Sequence, residues 1–346
     1  MKKKVFLTGA TGLVGSYLAK ILLSEGHKII ALARFASNKN PPQRVKEALN
    51  LWGQIALDNL EVLEGDICLA DLGLDKKSRA RLDKIQEIFH CAAITDLNLP
   101  IEKLRQTNVT GTKNILELSL SLKKKSKLER TSHISTAYVY GNYAGTFTEK
   151  DLDKGQSFPT NYEKSKFEAE ILAYDYRRQG LWVDIYRPSM VIGDSTTGRI
   201  FESKHMYQLL KLCSLEIFPE FPLKNSWASL VPVDLTCQAI YILWSRHQKP
   251  NCTFHPFPAR LVSIEQMLDI AGEIMGFKPP KVVSLEQFKP VNLTPAQRKI
   301  LQETIFNINF HTGLDSTYTN NLLQGYGFTM PEVDEKMLRV ILAKSA

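Results

Sequence analysis

Val5-Phe6-Leu7-Thr8-Gly9-Ala10-Thr11-Gly12-Leu13-Val14-Gly15 reads as a short apolar strand, a glycine-built turn and the opening of a helix whose apolar spacing runs on to Leu23. Three glycines at three-residue spacing let the backbone approach a pyrophosphate closely, with the first helical N–H groups and the positive helix end facing the anion. The spacing is not the GxGxxG of the standard dinucleotide fingerprint, and helix-opening glycines also serve packing. The strand-turn-helix context favours a nucleotide site formed by Gly9, Thr11, Gly12, Leu13, Val14 and Gly15.

Outward from this stretch the elements alternate. A second strand is expected at Lys28 to Arg34, a helix over residues 42–57, strands at Leu60 to Ile67 and Ile85 to Ala93, a helix from Ile101 to Leu122 and a β-rich run from Thr131 to Tyr140. Such βαβ repetition predicts an α/β protein with a Rossmann-type doubly wound parallel sheet. Past residue 185 frequent prolines punctuate short elements, as in a substrate pocket over the carboxyl edge of a sheet. Residues 1–187 are expected to form the nucleotide-binding domain, with a return near 228–248, and 188–346 mainly a smaller substrate-binding subdomain.

Composition excludes several classes. The 346 residues are 44% hydrophobic and 23% charged, as in ordinary globular proteins. Five scattered cysteines without CxxC spacing suggest neither a zinc site nor a disulfide framework, so no metal is expected. The basic start Met1-Lys2-Lys3-Lys4 is followed by an apolar run too interrupted for a signal peptide, and no stretch is long enough to span a bilayer. A cytoplasmic location is expected. The net charge of +8 points to an anionic partner: phosphates, an acidic carrier protein or, peripherally, an anionic membrane. Lys123 to Lys125 and Lys127 read as cations at a helix C-terminus, without the stacking aromatics of a nucleic-acid surface. Oligomeric state is not encoded in any pattern found.

Where dinucleotide-binding folds place a ribose-binding carboxylate, at the end of the second strand, this chain has Arg34, with Lys39 and Arg44 just downstream. A guanidinium pairs with a 2′-phosphate, so NADPH is expected over NADH. Asp66 either reaches the adenine edge or is a turn carboxylate. Tyr162 and Lys166 lie one helical turn apart in Tyr162-Glu163-Lys164-Ser165-Lys166, sharing one face. A cation beside a phenol should lower its pKa toward working pH, which makes the pair a proton donor and acceptor. Upstream, Ser135-Thr136-Ala137-Tyr138-Val139-Tyr140-Gly141 supplies a hydroxyl at the carboxyl edge of the sheet.

These stretches, with HCAA at His90 to Ala93, NVTGT at Asn108 to Thr112 and YRPSMVIGD at Tyr186 to Asp194, resemble an extended short-chain dehydrogenase/reductase. Within it the chain is most similar to the branch of fatty acyl-CoA reductases and thioester-reductase domains, through Leu32-Ala33-Arg34 with Arg44, Gly65-Asp66-Ile67, Pro100 to Leu104 and RPSMVIGDSTTG. The resemblance implies that Thr136 orients a substrate carbonyl, Tyr162 is the general acid, and Lys166 tunes the phenol and holds the nicotinamide ribose. It further implies cofactor contacts at Ile67, Ala92, Ala93, Asn108 and Pro188, although packing explains Asn108 equally well and suits His90 better than catalysis.

The implied substrate is an acyl thioester on coenzyme A or an acyl carrier protein, reduced to aldehyde or alcohol. A nucleotide-sugar epimerase or a sterol-type alcohol dehydrogenase would use the same triad. A non-catalytic scaffold fits less well, because Thr136, Tyr162 and Lys166 are intact. Ala137 and Tyr138 stand where sugar-nucleotide dehydratases place acidic residues, which disfavours dehydration. Phe167 replaces the branch's usual Trp, and Asn161 a frequent Gly.

Overall fold

The computed structural model describes residues 2–125, 127–200, 206–284, 286–289, 293–295, 297–298 and 313–344. In chain order the strands are β1 (Lys4–Thr8), β2 (Lys28–Ala33), β3 (Leu60–Glu64), β4 (Glu87–His90), β5 (Arg130–Ile134), β6 (Val183–Tyr186) and β7 (Met190–Ile192). They continue with β8 (Glu220–Phe221), β9 (Trp227–Ala228), β10 (Leu230–Pro232) and β11 (Thr253–Phe254). The helices used below are α1 (Leu13–Ser24), α2 (Pro41–Asn50), α3 (Lys76–Ala80), α4 (Ile101–Leu104), α5 (Gly111–Lys125), α6 (Asn161–Arg178), α7 (Met206–Ser214) and α8 (Val233–Arg246).

Seven strands form one sheet in the order β11-β6-β5-β4-β1-β2-β3, every pairing parallel. Parallel strands buried on both faces need apolar side chains throughout, and Val5, Phe6 and Leu7 of β1 are fully buried. One core layer sets β1 and β2 against α1, α2 and α8. Another packs the opposite face against α5 and α6. Strand order reverses between β1 and β4, which opens the crevice where ligands bind in such sheets. Beyond β7, Met190 to Ile192 pair with Leu230 to Pro232 of β10, and a separate apolar cluster gathers α7, Phe218, Phe221 and Ile264 to Ala271.

Several expected boundaries differ. β3 stops at Glu64, where Gly65 and Asp66 turn the chain, and β4 stops at His90. The helix begun at residue 41 ends at Asn50. The helical run from Ile101 is interrupted by a π turn over Arg105–Thr110. Residues Ala137–Tyr140 form a 3₁₀ turn rather than strand, because the Thr136 hydroxyl accepts the Tyr138 N–H (3.3 Å) and bends the chain out of the sheet.

Candidate active site

The turn after β1 is shaped by contacts that only glycine permits. Gly9 has φ +75°, and a Cβ there would lie 2.6 Å from the backbone of Cys91 and Ala92; a Cβ on Gly15 would lie 2.1 Å from the Gly9 carbonyl oxygen. These two glycines pack β1, α1 and the end of β4 together. Gly12 differs: a Cβ there would meet only the Gly9 oxygen, at 3.5 Å, and no side chain caps α1, whose first turn carries no acidic residue. The orphan N–H groups of that turn face the crevice and suit an anion.

The crevice is a cavity of about 330 Å³. It brings together Thr11, Gly12, Leu13, Val14, Gly15, Ala93, Thr136, Tyr162, Lys166 and Pro188. Helix α6 delivers two of them. Its start is fixed by a capping box in which the Thr160 hydroxyl accepts the Glu163 N–H (3.2 Å) and the Glu163 carboxylate accepts the Thr160 N–H (3.4 Å). Tyr162 therefore sits in the first turn and Lys166 one turn further. The phenol is hydrogen-bonded to the Thr136 hydroxyl. Two buried hydroxyls on the cavity wall, Ser135 and Ser189, have no hydrogen-bond partner among the described residues.

The electrostatics differ from the expected pairing. Burial holds the Tyr162 phenol above its ordinary pKa rather than below it, and only partly does the Thr136 hydrogen bond offset this. The Lys166 ammonium donates to the Ile134 carbonyl (2.9 Å), and desolvation brings its pKa down to about 8. Glu163, beside the phenol on the cavity wall, is pushed up to about 8 by burial against the favourable bonds from Thr160. A carboxyl whose folded pKa is raised stabilises the fold below its unfolded pKa and loses that contribution as pH climbs to the folded value. Glu163→Gln keeps the capping geometry without the charge. The variant's melting temperature should match the wild type near pH 4 and exceed it progressively up to about pH 8, with the gap constant above. Parallel melting curves across that window would contradict the assignment.

Other expected positions lie outside the cavity lining. Gly9 is behind it. Arg34, half-exposed at the end of β2, has Nη1 3.4 Å from the Asp66 carboxylate, and its carbonyl accepts from Arg44 Nη1 (2.7 Å). Asp66 also accepts the Cys68 N–H (2.9 Å), the geometry of a turn carboxylate. Ile67 is buried against Gly111, and the Ala92 N–H donates to Thr8 (3.3 Å). Asn108 is a clasp: its carboxamide accepts the Ile94 N–H (2.8 Å) and donates to the Ile94 carbonyl (3.0 Å) and Ser165 hydroxyl (2.9 Å). His90 is held between the hydroxyls of Thr8 (2.8 Å) and Thr112 (3.0 Å), and burial takes its pKa down to about 3.

Glu163, Ser189, Met190, Met206 and Tyr207 also line the cavity and had not been singled out. For Glu163 a signal existed, the Thr160-x-x-Glu163 box; for Met206 and Tyr207 only the packing of α7 reveals it.

Among the described residues no helix is long and apolar enough to cross a membrane, and no cluster of His, Cys, Asp and Glu could hold a metal ion. The sequence profile of the family described as Male sterility protein, an NAD-binding family, matches residues 7–240. L-2-aminoadipate reductase of Schizosaccharomyces pombe is 30% identical over 257 residues, covering 69% of this chain and 18% of that protein. Carboxylic acid reductase of Mycobacterium marinum is 29% identical over 287 residues, covering 73% and 24% respectively. The chain thus spans about a quarter or less of these two relatives. The terminal R domain from the myxalamid PKS-NRPS biosynthetic pathway superposes with a TM-score of 0.81 at 25% identity, over 99% of this chain and 90% of that one.

Proposed function

Since the chain belongs to the NAD-binding Male sterility protein family, an oxidoreductase family of the extended short-chain dehydrogenase/reductase type, we propose that it reduces an acyl thioester to an aldehyde with NADPH. The observation that carries the proposal is the meeting of Thr136, Tyr162 and Lys166 in one cavity with the uncapped first turn of α1. Residues 1–187 with the β10–α8 return would hold the nucleotide, and the remainder of 188–346 mainly the substrate.

The groups present fit a dinucleotide. The α1 amides would take its pyrophosphate, Lys166 its ribose hydroxyls, and Pro188 with the unpartnered Ser189 hydroxyl would line its nicotinamide. When bound, the nicotinamide supplies the hydride. Thr136 and Tyr162 donate hydrogen bonds to the thioester carbonyl oxygen and stabilise the charge that develops on it. Tyr162 then delivers its proton to that oxygen, and the hemithioacetal collapses with cleavage of the C–S bond, leaving an aldehyde and a free thiol. A high phenol pKa suits this direction, because the acid must be protonated before transfer. Lys166, an ammonium below about pH 8, compensates the phenolate left behind. A second round gives the alcohol.

The carrier is coenzyme A or an acyl carrier protein, each of which presents anionic groups to a chain of net charge +8. Nicotinamide oxidation followed at 340 nm with acyl-CoA, acyl carrier thioesters and nucleotide sugars tests the proposal. Oxidation with a thioester and release of its thiol are expected; oxidation with none of them would overturn it.

Preference for NADPH rests on Arg34, backed by Arg44 bonded to its carbonyl. A charge-assisted pair with the 2′-phosphate is worth ~1.5–3 kcal/mol, so Arg34→Asp should shift the ratio of kcat/KM for NADPH over NADH by roughly 10- to 100-fold toward NADH. An unaltered ratio would remove the phosphate contact.

A further inference from the structure

The cavity is lined by two chemically different groups of residues. One is polar and holds Thr136, Tyr162, Lys166 and the start of α1. Past Pro188 the wall becomes apolar, formed by Met190, Val191, Ile192, Ile200 and Met206 with Tyr207. Among the described residues the charged side chains on the lining, Glu163 and Lys166, belong to the first group. A carboxylate or ammonium at the far end of a substrate, set among these apolar side chains, would be desolvated, which costs several kcal/mol unless the charge is paired.

Directly behind that wall lies a second apolar void, bounded by Leu209, Ala228, Leu230, Ile264 and Met267. It shares Met190 and Met206 with the cavity and has no room for a water molecule. Three of the chain's seven methionines, at 190, 206 and 267, meet at this divide. An unbranched thioether with three rotatable bonds yields space by changing rotamer, where Leu or Ile would resist. The divide stands on the β7–β10 pairing and α7, so its position relative to Tyr162 is fixed by the fold.

We propose that the acyl group taken by this site is an uncharged aliphatic chain, and that Met190 and Met206 form the end wall that sets its length. This rests on the thioester-reductase function proposed above. Chains that end at the wall fit without rearrangement. Longer ones must displace the two thioethers into the narrow void.

The test uses the full chain, its Met190→Ala, Met206→Ala and Met190→Phe variants, and two measurements. The first is kcat/KM for straight-chain acyl-CoA thioesters of increasing length, with a carboxylate-ended analogue beside each. The second is calorimetric affinity for S-alkyl pantetheines, which carry the arm common to coenzyme A and carrier proteins but no reducible carbonyl. Either alanine variant should move the optimum to longer chains, with a gain of roughly tenfold for the first methylene beyond the wild-type limit, and Met190→Phe should shorten it. Carboxylate-ended analogues should be disfavoured by tenfold or more. Turnover whose length profile is the same in all four proteins, or equal use of carboxylate-ended chains, would overturn the inference while leaving thioester reduction intact. Length-dependent binding that the variants shift, without turnover of any thioester, would support the inference and overturn reduction. If neither length-dependent binding nor turnover appears, both fall.

Discussion

Tyr162→Phe should lower turnover by about 10²- to 10⁴-fold while leaving nucleotide affinity nearly unchanged. In the mechanism proposed above the phenol is the proton donor; it is hydrogen-bonded to Thr136 in the cavity that also holds the uncapped α1 turn, and phenylalanine keeps its ring packing while removing only the hydroxyl. Single-turnover reduction monitored at 340 nm, with nucleotide binding by fluorescence titration, separates the two effects. Loss of affinity without loss of the chemical step would reassign Tyr162 to binding, and turnover within threefold of wild type would remove it from the mechanism. Burial sets the direction of the pH effect as well: with the phenol held above its ordinary pKa, the acid form persists through neutral pH, and two groups on the cavity wall, Lys166 and Glu163, titrate at about 8. An alkaline fall in kcat/KM near pH 8 should therefore track the ammonium rather than the phenol if it persists in Glu163→Gln, and the carboxyl if it does not.

The second large effect concerns stability. Glu170 on α6 and Arg187 at the end of β6 are both fully buried and meet in a fork, with Nε to Oε1 at 3.0 Å and Nη2 to Oε2 at 2.7 Å. The Arg187 N–H also donates to the Phe254 carbonyl of β11 (2.8 Å). Truncating one partner of such a pair leaves the other charge desolvated, at a cost of about 3–5 kcal/mol. Glu170→Ala should thus lower the melting temperature by about 4–7 °C. The double variant Glu170→Ala, Arg187→Met should recover much of that loss, because no buried charge is left alone. A double variant no more stable than the single would show that the cost lies in packing. Pro188 follows Arg187 directly, so the same pair ties the helix carrying Tyr162 and Lys166 to the cavity wall at Pro188.

Periodicity is enough to read β1, β2 and α1, because Val5 to Leu7 and Ile29 to Ala33 are unbroken apolar runs and the apolar residues of α1 recur at helical spacing. The turn after β1 is legible because its glycines stand between an apolar run and a helical pattern, and Gly9 and Gly15 occupy places that no Cβ can enter. The motif Tyr162 to Lys166 was equally legible: one helical turn puts both groups on one face whatever the tertiary context. What packing decides was not. The bond from Lys166 to the Ile134 carbonyl depends on how α6 lies against β5, and it replaces the simple ammonium-to-phenol pairing that spacing suggests. The wall at Met190 and Met206 arises from a contact between segments far apart in sequence, in a region where short strands and prolines leave no period to follow. The stretch Arg105 to Thr110 contains neither glycine nor proline, so its departure from α geometry has no local marker.

That π turn winds Asn108 to the point where its carboxamide clasps Ile94 on one side and Ser165 on the other. Such a turn holds one residue more than an α-helix would over the same rise. Loss of a single residue there would close the turn to ordinary α geometry and shift the residues inside it, carrying Asn108 off its partners while the flanking helices keep their register. Along this segment, then, the spacing of the genetic text is under tighter constraint than its lettering: an in-frame codon deletion should be far more damaging than most of the amino-acid replacements available at the same positions.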